Sequence, residues 1–234
     1  MGEGTWFHTD SSRRQFFKTL VSSAVIGVTT PAAIELSALQ KLNAQANLSS
    51  DAALQQLLAG NQRFAANQLA SITHDLAILK ERAVDKQEPF AAVLACADSR
   101  VPVELIFDQT IGHIFVARIA GNIVTPEIIA SLEYAVAVLA VRTLIVLGHR
   151  SCGAVNAAMK ADSAPGQISA LYPYLRQAVE QSNGNFDRAI EANAKIQAEL
   201  LRTSSTVIRD AAKGGKLKVE AGVYDLATGK VSLK

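Results

Sequence analysis

Two cysteines, Cys96 and Cys152, are all that a chain of 234 residues offers, too few to staple a fold that is long enough to need no staples. Their role has to be read from their neighbours. Aromatic residues are also scarce at 6%, and 23 Lys and Arg nearly balance 21 Asp and Glu, for a formal charge of +2 with no long basic run. That excludes the electrostatic footprint of a nucleic-acid binder and leaves small neutral or anionic partners open. No internal repeat and no low-complexity tract is present. What remains is a globular composition, 49% hydrophobic and 19% charged, sufficient for one sizeable core and one compact domain.

Residues 1–46 read as an address. "SRRQFFK" places Ser12, Arg13, Arg14, Phe16 and Lys18 on the pattern SRRxFxK of twin-arginine export signals, which it resembles. A modestly apolar run from Thr19 to Ile34 follows, and Ala44 with Ala46 forms a small-x-small site for cleavage before Asn47. The run is short for a span of ~20 residues and is broken by Thr29, Thr30 and Pro31, which favours a removed signal over a membrane anchor. Membrane association would then arise only through an uncleaved signal. The expected compartment is the periplasm or an equivalent lumen, reached by a pathway that carries folded proteins. Residues 47–234 form the domain.

"LSSDAALQQLLAGNQRF" offers Ser49 or Ser50 as an N-cap, with Leu54, Leu57, Leu58 and Phe64 at helical spacing. "PFAAVLAC" (89–96), "HIFVARIA" (113–120) and "RTLIVLGH" (142–149) are short apolar runs, each followed by a helix-like segment. Strands alternating with helices predict an α/β fold, a mostly parallel sheet flanked by helices. "TPEIIASLEYAVAVLAV" has Thr125 as N-cap and Pro126 at the first helical position, predicting an apolar helix over 126–141 that is buried or covered by a second subunit. Residues 163–213 are helical in pattern with a break at "SNGN" (182–185), and Thr228-Gly229 between two short runs predicts a closing C-terminal hairpin or edge strand.

The chemistry lies at two strand ends. In "CADSR" Cys96 and Asp98 are two apart and can face one pocket as the chain leaves a strand. In "GHRSCG" His149 and Cys152 are three apart, the spacing of one helical turn. Two Cys, one His and one Asp suffice for tetrahedral zinc, and open parallel sheets hold ligands at the carboxyl ends of their strands. A disulfide between the cysteines is the alternative for an exported chain, but it leaves the Asp-x-Arg sequence and the glycines flanking 148–153 without a purpose. Arg100 can hold Asp98 in a two-pronged pair. If it does, three protein ligands leave a fourth position open, the mark of a catalytic zinc, where a bound water becomes hydroxide near neutral pH. If Asp98 becomes the fourth ligand instead, the site is closed. An ordinary salt bridge between Asp98 and Arg100 is the plainer alternative.

"CADSRVP", "GHIFVARIAGN", "SLEYAV" and "VLGHRSCGAV", in this order and spacing, resemble the β-class carbonic anhydrases over residues 50–234. The resemblance implies one Zn2+ per subunit held by Cys96, His149 and Cys152, a catalytic dyad of Asp98 and Arg100, and reversible hydration of carbon dioxide to bicarbonate and a proton. Asp98 would accept a hydrogen bond from the zinc-bound water. Substrate-binding positions carry over to Gln87, Phe115 and Tyr134, partly supplied by a neighbouring subunit, with backbone donors near Cys152 and Gly153 placing the substrate. A homodimer or higher homo-oligomer follows.

Val93 stands where the bicarbonate-regulated subclass has Trp, which argues against closure of the site by bicarbonate. His113 and Ile119 stand where the family commonly has Asp and Asn, and neither is a ligand position. His113 is expected as a surface residue rather than a proton shuttle. Two rivals stand beside this: hydrolysis of carbonyl sulfide or carbon disulfide on the same fold, and, from a different class, a non-catalytic bicarbonate-binding or structural zinc module associated with a larger membrane assembly.

Overall fold

The computed structural model describes residues 48–71, 84, 86–161 and 163–234. The leader read in residues 1–46 lies outside them. The described elements run helix α1 (Ser50–Ala65), strand β1 (Ala91–Ala95), a short α2 (Val103–Ile106), β2 (Ile114–Arg118), α3 (Pro126–Ala137), β3 (Thr143–His149), α4 (Gly153–Lys160), α5 (Tyr172–Gln181), α6 (Phe186–Ser204), α7 (Thr206–Lys213), β4 (Lys218–Tyr224) and β5 (Val231–Leu233). Every strand and helix expected from the sequence is present. Among the described residues no helix is long and apolar enough to cross a membrane.

The five strands form one sheet in the order β2-β1-β3-β4-β5, parallel except for β5. Alternation of side chains splits the core in two. Ala92, Leu94, Leu144 and Val146 face one layer with α3 to α7, while Ala91, Val93, Ala95, Ile145 and Leu147 face another with α1 and α2. Both faces are covered, which is why β1 and β3 are buried throughout and mostly apolar rather than alternating.

Local chemistry sets the ends. Ser49 caps α1, its Oγ accepting the Ala52 N–H at 3.1 Å, and Leu54 and Leu57 bury the helix on the second layer, each contributing about 1.5–3 kcal/mol. Gly60 lets α1 reach α2: a Cβ there would stand 1.8 Å from the Phe107 carbonyl oxygen. Thr125 caps α3 through the Ile128 N–H. This helix ends at Ala137, earlier than the apolar pattern to residue 141 implies, because Ala140 takes a left-handed φ of 56° to turn the chain into β3. Apolar composition continued past the point where the backbone had to turn. Asn185 caps α6 after the break at 182–185, and Asp225 and Lys230 close the β4–β5 hairpin.

From β1 the chain passes to β2 on one side and later to β3 on the other. The carboxyl ends of β1 and β3 therefore form the point where the winding reverses, and a crevice opens there.

Candidate metal centre

Parallel pairing of Ala95 with Leu147 brings the residues just beyond these strand ends together. Cys96 leaves β1, His149 ends β3, and Cys152 is the N-cap of α4. The turn between them is not the helical turn that three-residue spacing suggests: Ser151 adopts φ 59° and folds the chain back so that Cys152 faces Cys96. All three residues are buried, and their ligand atoms lie within 4.8 Å of one another.

The cysteines are free thiols with Sγ atoms 4.0 Å apart, about twice a disulfide bond of ~2.05 Å. Two sulfurs each ~2.3 Å from a tetrahedral ion would sit ~3.8 Å apart, close to the observed separation. His149 donates its Nδ1–H to the Arg150 carbonyl oxygen at 2.9 Å, which fixes the tautomer and leaves Nε2 as a lone pair. That Nε2 is fully buried without a hydrogen-bond partner, a costly arrangement unless something binds it. Two soft sulfurs and one imidazole nitrogen fit zinc.

The two thiols face each other across one hydrogen bond. Hydrogen bonding with Cys152 pulls the Cys96 thiol well below its usual range against the effect of burial, helped by the Gly121 N–H, which donates to Sγ at 3.2 Å. The same bond, burial and the negative charge on Cys96 push Cys152 up, while the amides of Val155 and Ala154 act the other way. Both sulfurs must be deprotonated to hold a metal, so binding there would release the thiol protons.

Asp98 sits beside this cluster without joining it. Arg100 donates Nε–H to Oδ1 at 3.0 Å, Nη2–H to Oδ2 at 2.8 Å and its backbone N–H to Oδ1 at 2.9 Å, holding the carboxyl well below the usual carboxylate range. The Arg100 Nη2 also reaches the Ser151 carbonyl oxygen at 3.3 Å, tying the two ligand-bearing turns together. Asp98 Oδ2 lies 3.8 Å from His149 Nε2, outside hydrogen-bond range. Three donors therefore face a fourth position that Asp98 borders, the open arrangement.

Other expected residues are placed differently. Gly153 opens α4 and is exposed, next to Cys152. Phe115 and Tyr134 meet, ring centroids 6.4 Å apart, but Phe115 pairs with Ala92 near the start of β1, whereas Arg118 pairs with Ala95 at its end. Gln87 is exposed ahead of β1. A five-residue strand rises ~17 Å, so within one chain Gln87, Phe115 and Tyr134 are not brought to the cluster. His113 packs edge-on against Phe90, also at the far end. Ile119 serves through its backbone, donating to Ala95 O and accepting from Ala97 N on either side of Cys96, and its side chain packs on the core.

Sequence reasoning missed the polar frame. Asn193, buried on α6, donates Nδ2–H to Gly121 O at 2.8 Å, and Gln197 accepts the Val124 N–H at 2.8 Å and donates to Asn193 Oδ1. Both interrupt the apolar face of an amphipathic helix, the only signal that could have found them. Arg118 was passed over because a charged residue at a strand end is ordinary.

A sequence profile described as "Carbonic anhydrase" matches residues 91–231. Carbonic anhydrase 2 of Mycobacterium tuberculosis is 35% identical over 156 residues, covering 63% of this chain and 75% of that protein. A β-carbonic anhydrase structure from Aspergillus fumigatus aligns with a TM-score of 0.62 at 28% identity, over 76% of this chain and 88% of that one. One from Sordaria macrospora, described as tetrameric, gives 0.61 at 25% identity over 75% and 93%. With its sheet order, its Cys-His-Cys cluster and these likenesses, the chain belongs to the β-class carbonic anhydrases.

Proposed function

We propose that the chain is an exported zinc enzyme catalysing the reversible hydration of carbon dioxide to bicarbonate and a proton, and that it works as a homodimer or a larger assembly of dimers. The observation that carries the reaction is the buried Cys96–His149–Cys152 cluster with Asp98 held off it by Arg100. Those three residues would hold the ion. Zinc bound there supplies Lewis acidity, which brings the pKa of water to about 7, a value taken from the three-histidine carbonic anhydrases.

The chain's own groups do the rest. Arg100 holds the Asp98 carboxylate in its fork, where it would accept a hydrogen bond from water at the open position and so orient that water toward carbon dioxide. The amides near Cys152 and Gly153, at the N-terminus of α4, would stabilise negative charge developing on a substrate oxygen. Bicarbonate leaves as a proton passes to solvent.

A second copy would complete the pocket. β2 is an edge strand, and Tyr134 on α3 and Val138 at its C-cap are exposed. Two β2 edges related by a two-fold axis run antiparallel, which sets Phe115 and Tyr134 of one protomer beside the partner's strand end, where the cluster lies. Gln87 belongs to the same end and would follow the same route. Export rests on the "SRRQFFK" pattern and the apolar run after it.

Stopped-flow hydration by the zinc-loaded protein, compared with its metal-free form, tests the reaction. Equal rates would favour a binding or structural module. Light scattering is expected to give a mass of at least two chains. Arg13→Lys combined with Arg14→Lys is expected to retain the protein in the cytoplasm.

A further inference from the structure

Arg118 stands at the end of β2 and belongs neither to the ligand set nor to the dyad. Its guanidinium crosses to the turn that carries both, donating Nε–H to the Cys96 carbonyl oxygen at 3.0 Å and Nη2–H to the Asp98 carbonyl oxygen at 2.5 Å. Hydrogen bonds from a charged donor are about twice as strong as neutral ones, and a planar fork on two carbonyls fixes their relative orientation as one ammonium could not. The Asp98 carbonyl also accepts the Val101 N–H at 3.1 Å, so the backbone of Asp98 is gripped from both sides.

The grip matters because of a short distance. Asp98 Oδ2 is 3.8 Å from His149 Nε2, so a small rotation of the Cys96–Asp98 turn would carry the carboxylate onto a metal held by that nitrogen. Arg100 resists this from the side-chain end, but it lies two residues along the same turn and is held outside it by one bond, to the Ser151 carbonyl oxygen at 3.3 Å. Arg118 comes from another strand. We infer that Arg118 is a positioning residue that anchors the backbone of the Cys96–Asp98 turn to β2, keeping Asp98 in the Arg100 fork and the fourth metal position open. This rests on the metal-site reading above.

The test uses the zinc-loaded protein with Arg118→Gln and Arg118→Lys, reading zinc content, affinity for azide as a probe of the open position, and kcat/KM for hydration. R118Q is expected to keep about one zinc per chain while azide binds 10- to 100-fold more weakly, because it must now displace the Asp98 carboxylate, with kcat/KM falling by a similar factor. R118K, which retains the charge but only a single donor group, is expected to lie between R118Q and the native protein. Native azide affinity in a folded R118Q overturns the inference. If R118Q does not fold, an intermediate R118K supports the inference and a native-like R118K overturns it. Loss of zinc from a folded variant, or failure of both to fold, overturns it as well, since Arg118 would then hold the ligand or the fold rather than the dyad. Zinc content and azide affinity need no carbon dioxide, so a native protein inactive in hydration would count against the proposed reaction and leave this result standing.

Discussion

Among the described residues, Asp98 and Asp108 are the arginine-paired aspartates whose side chains are largely shielded from solvent, and they are put to opposite uses. Asp108, in the left-handed region at φ 47° just after α2, is paired with Arg63 of α1 at 2.5 Å, and its two oxygens also take the Ala70 and Ser71 N–H groups at 2.8 to 3.1 Å. Its side chain has no exposure, against 17% for Asp98. Every lone pair that faces protein is occupied, and the pair ties the end of α1 to the segment after it. Asp98 takes its donors from Arg100 alone and turns Oδ2 toward a buried nitrogen that has no partner. Both carboxyls lie below the ordinary range, so a depressed pKa does not separate structure from chemistry. The unspent side of the carboxylate, next to an orphaned ligand atom, does.

Mutations that break the metal side should have the largest effect. Cys152→Ala removes one of three ligands and is expected to abolish zinc binding and reduce hydration to that of the metal-free protein, checked by metal analysis and stopped-flow on one sample. Asp98→Asn comes next. It retains the hydrogen-bonding shape but loses the charge, so zinc should stay while kcat falls about 100-fold or more; a fully active variant would remove Asp98 from the dyad.

Asp108→Asn sharpens the contrast from the other side. Burial raises the Asp108 pKa, but the Ser71 and Ala70 donors and Arg63 outweigh it and bring the carboxyl down to about 2 from 3.8. A lowered folded-state pKa stabilises the protein above the unfolded value and is lost as pH falls from about 4 through about 2. The substitution should therefore cost about 2 kcal/mol at pH 7, from a shift of nearly two pKa units, and lower Tm by roughly 5 °C. Denaturant melts of the two proteins should converge toward pH 2. Hydration per folded molecule should be unchanged at neutral pH, which would confirm that this Asp–Arg pair stands outside the chemistry.

Much of this was legible in the chain. The strands around Val93, Val116 and Ile145 announced themselves because their central residues are branched and apolar, and in β1 and β3 both faces are buried. The ligands were legible because thiol, imidazole and carboxylate are rare at strand ends and all three occur at two of them. Less was legible wherever a residue acts through its backbone or across the sheet. Ile119 flanks Cys96 with main-chain bonds that any side chain would permit, and Ser151 turns the chain with a φ that sequence does not mark. Arg118, Asn193 and Gln197 reach partners 20 to 73 positions away, distances over which no spacing rule operates. Gln87, Phe115 and Tyr134 were legible as residues but not as a location: within one chain they lie toward the other end of β1 from the cluster, and only the proposed second copy would bring them to it.

The most direct test of the central claim is to titrate zinc into the metal-free protein while recording bound metal and the hydration rate together. The rate should rise in proportion to occupancy and level off at one zinc per chain. A rate that stays at the metal-free level as the site fills, or that saturates with the Cys96–Cys152 pair still free of metal, would contradict it.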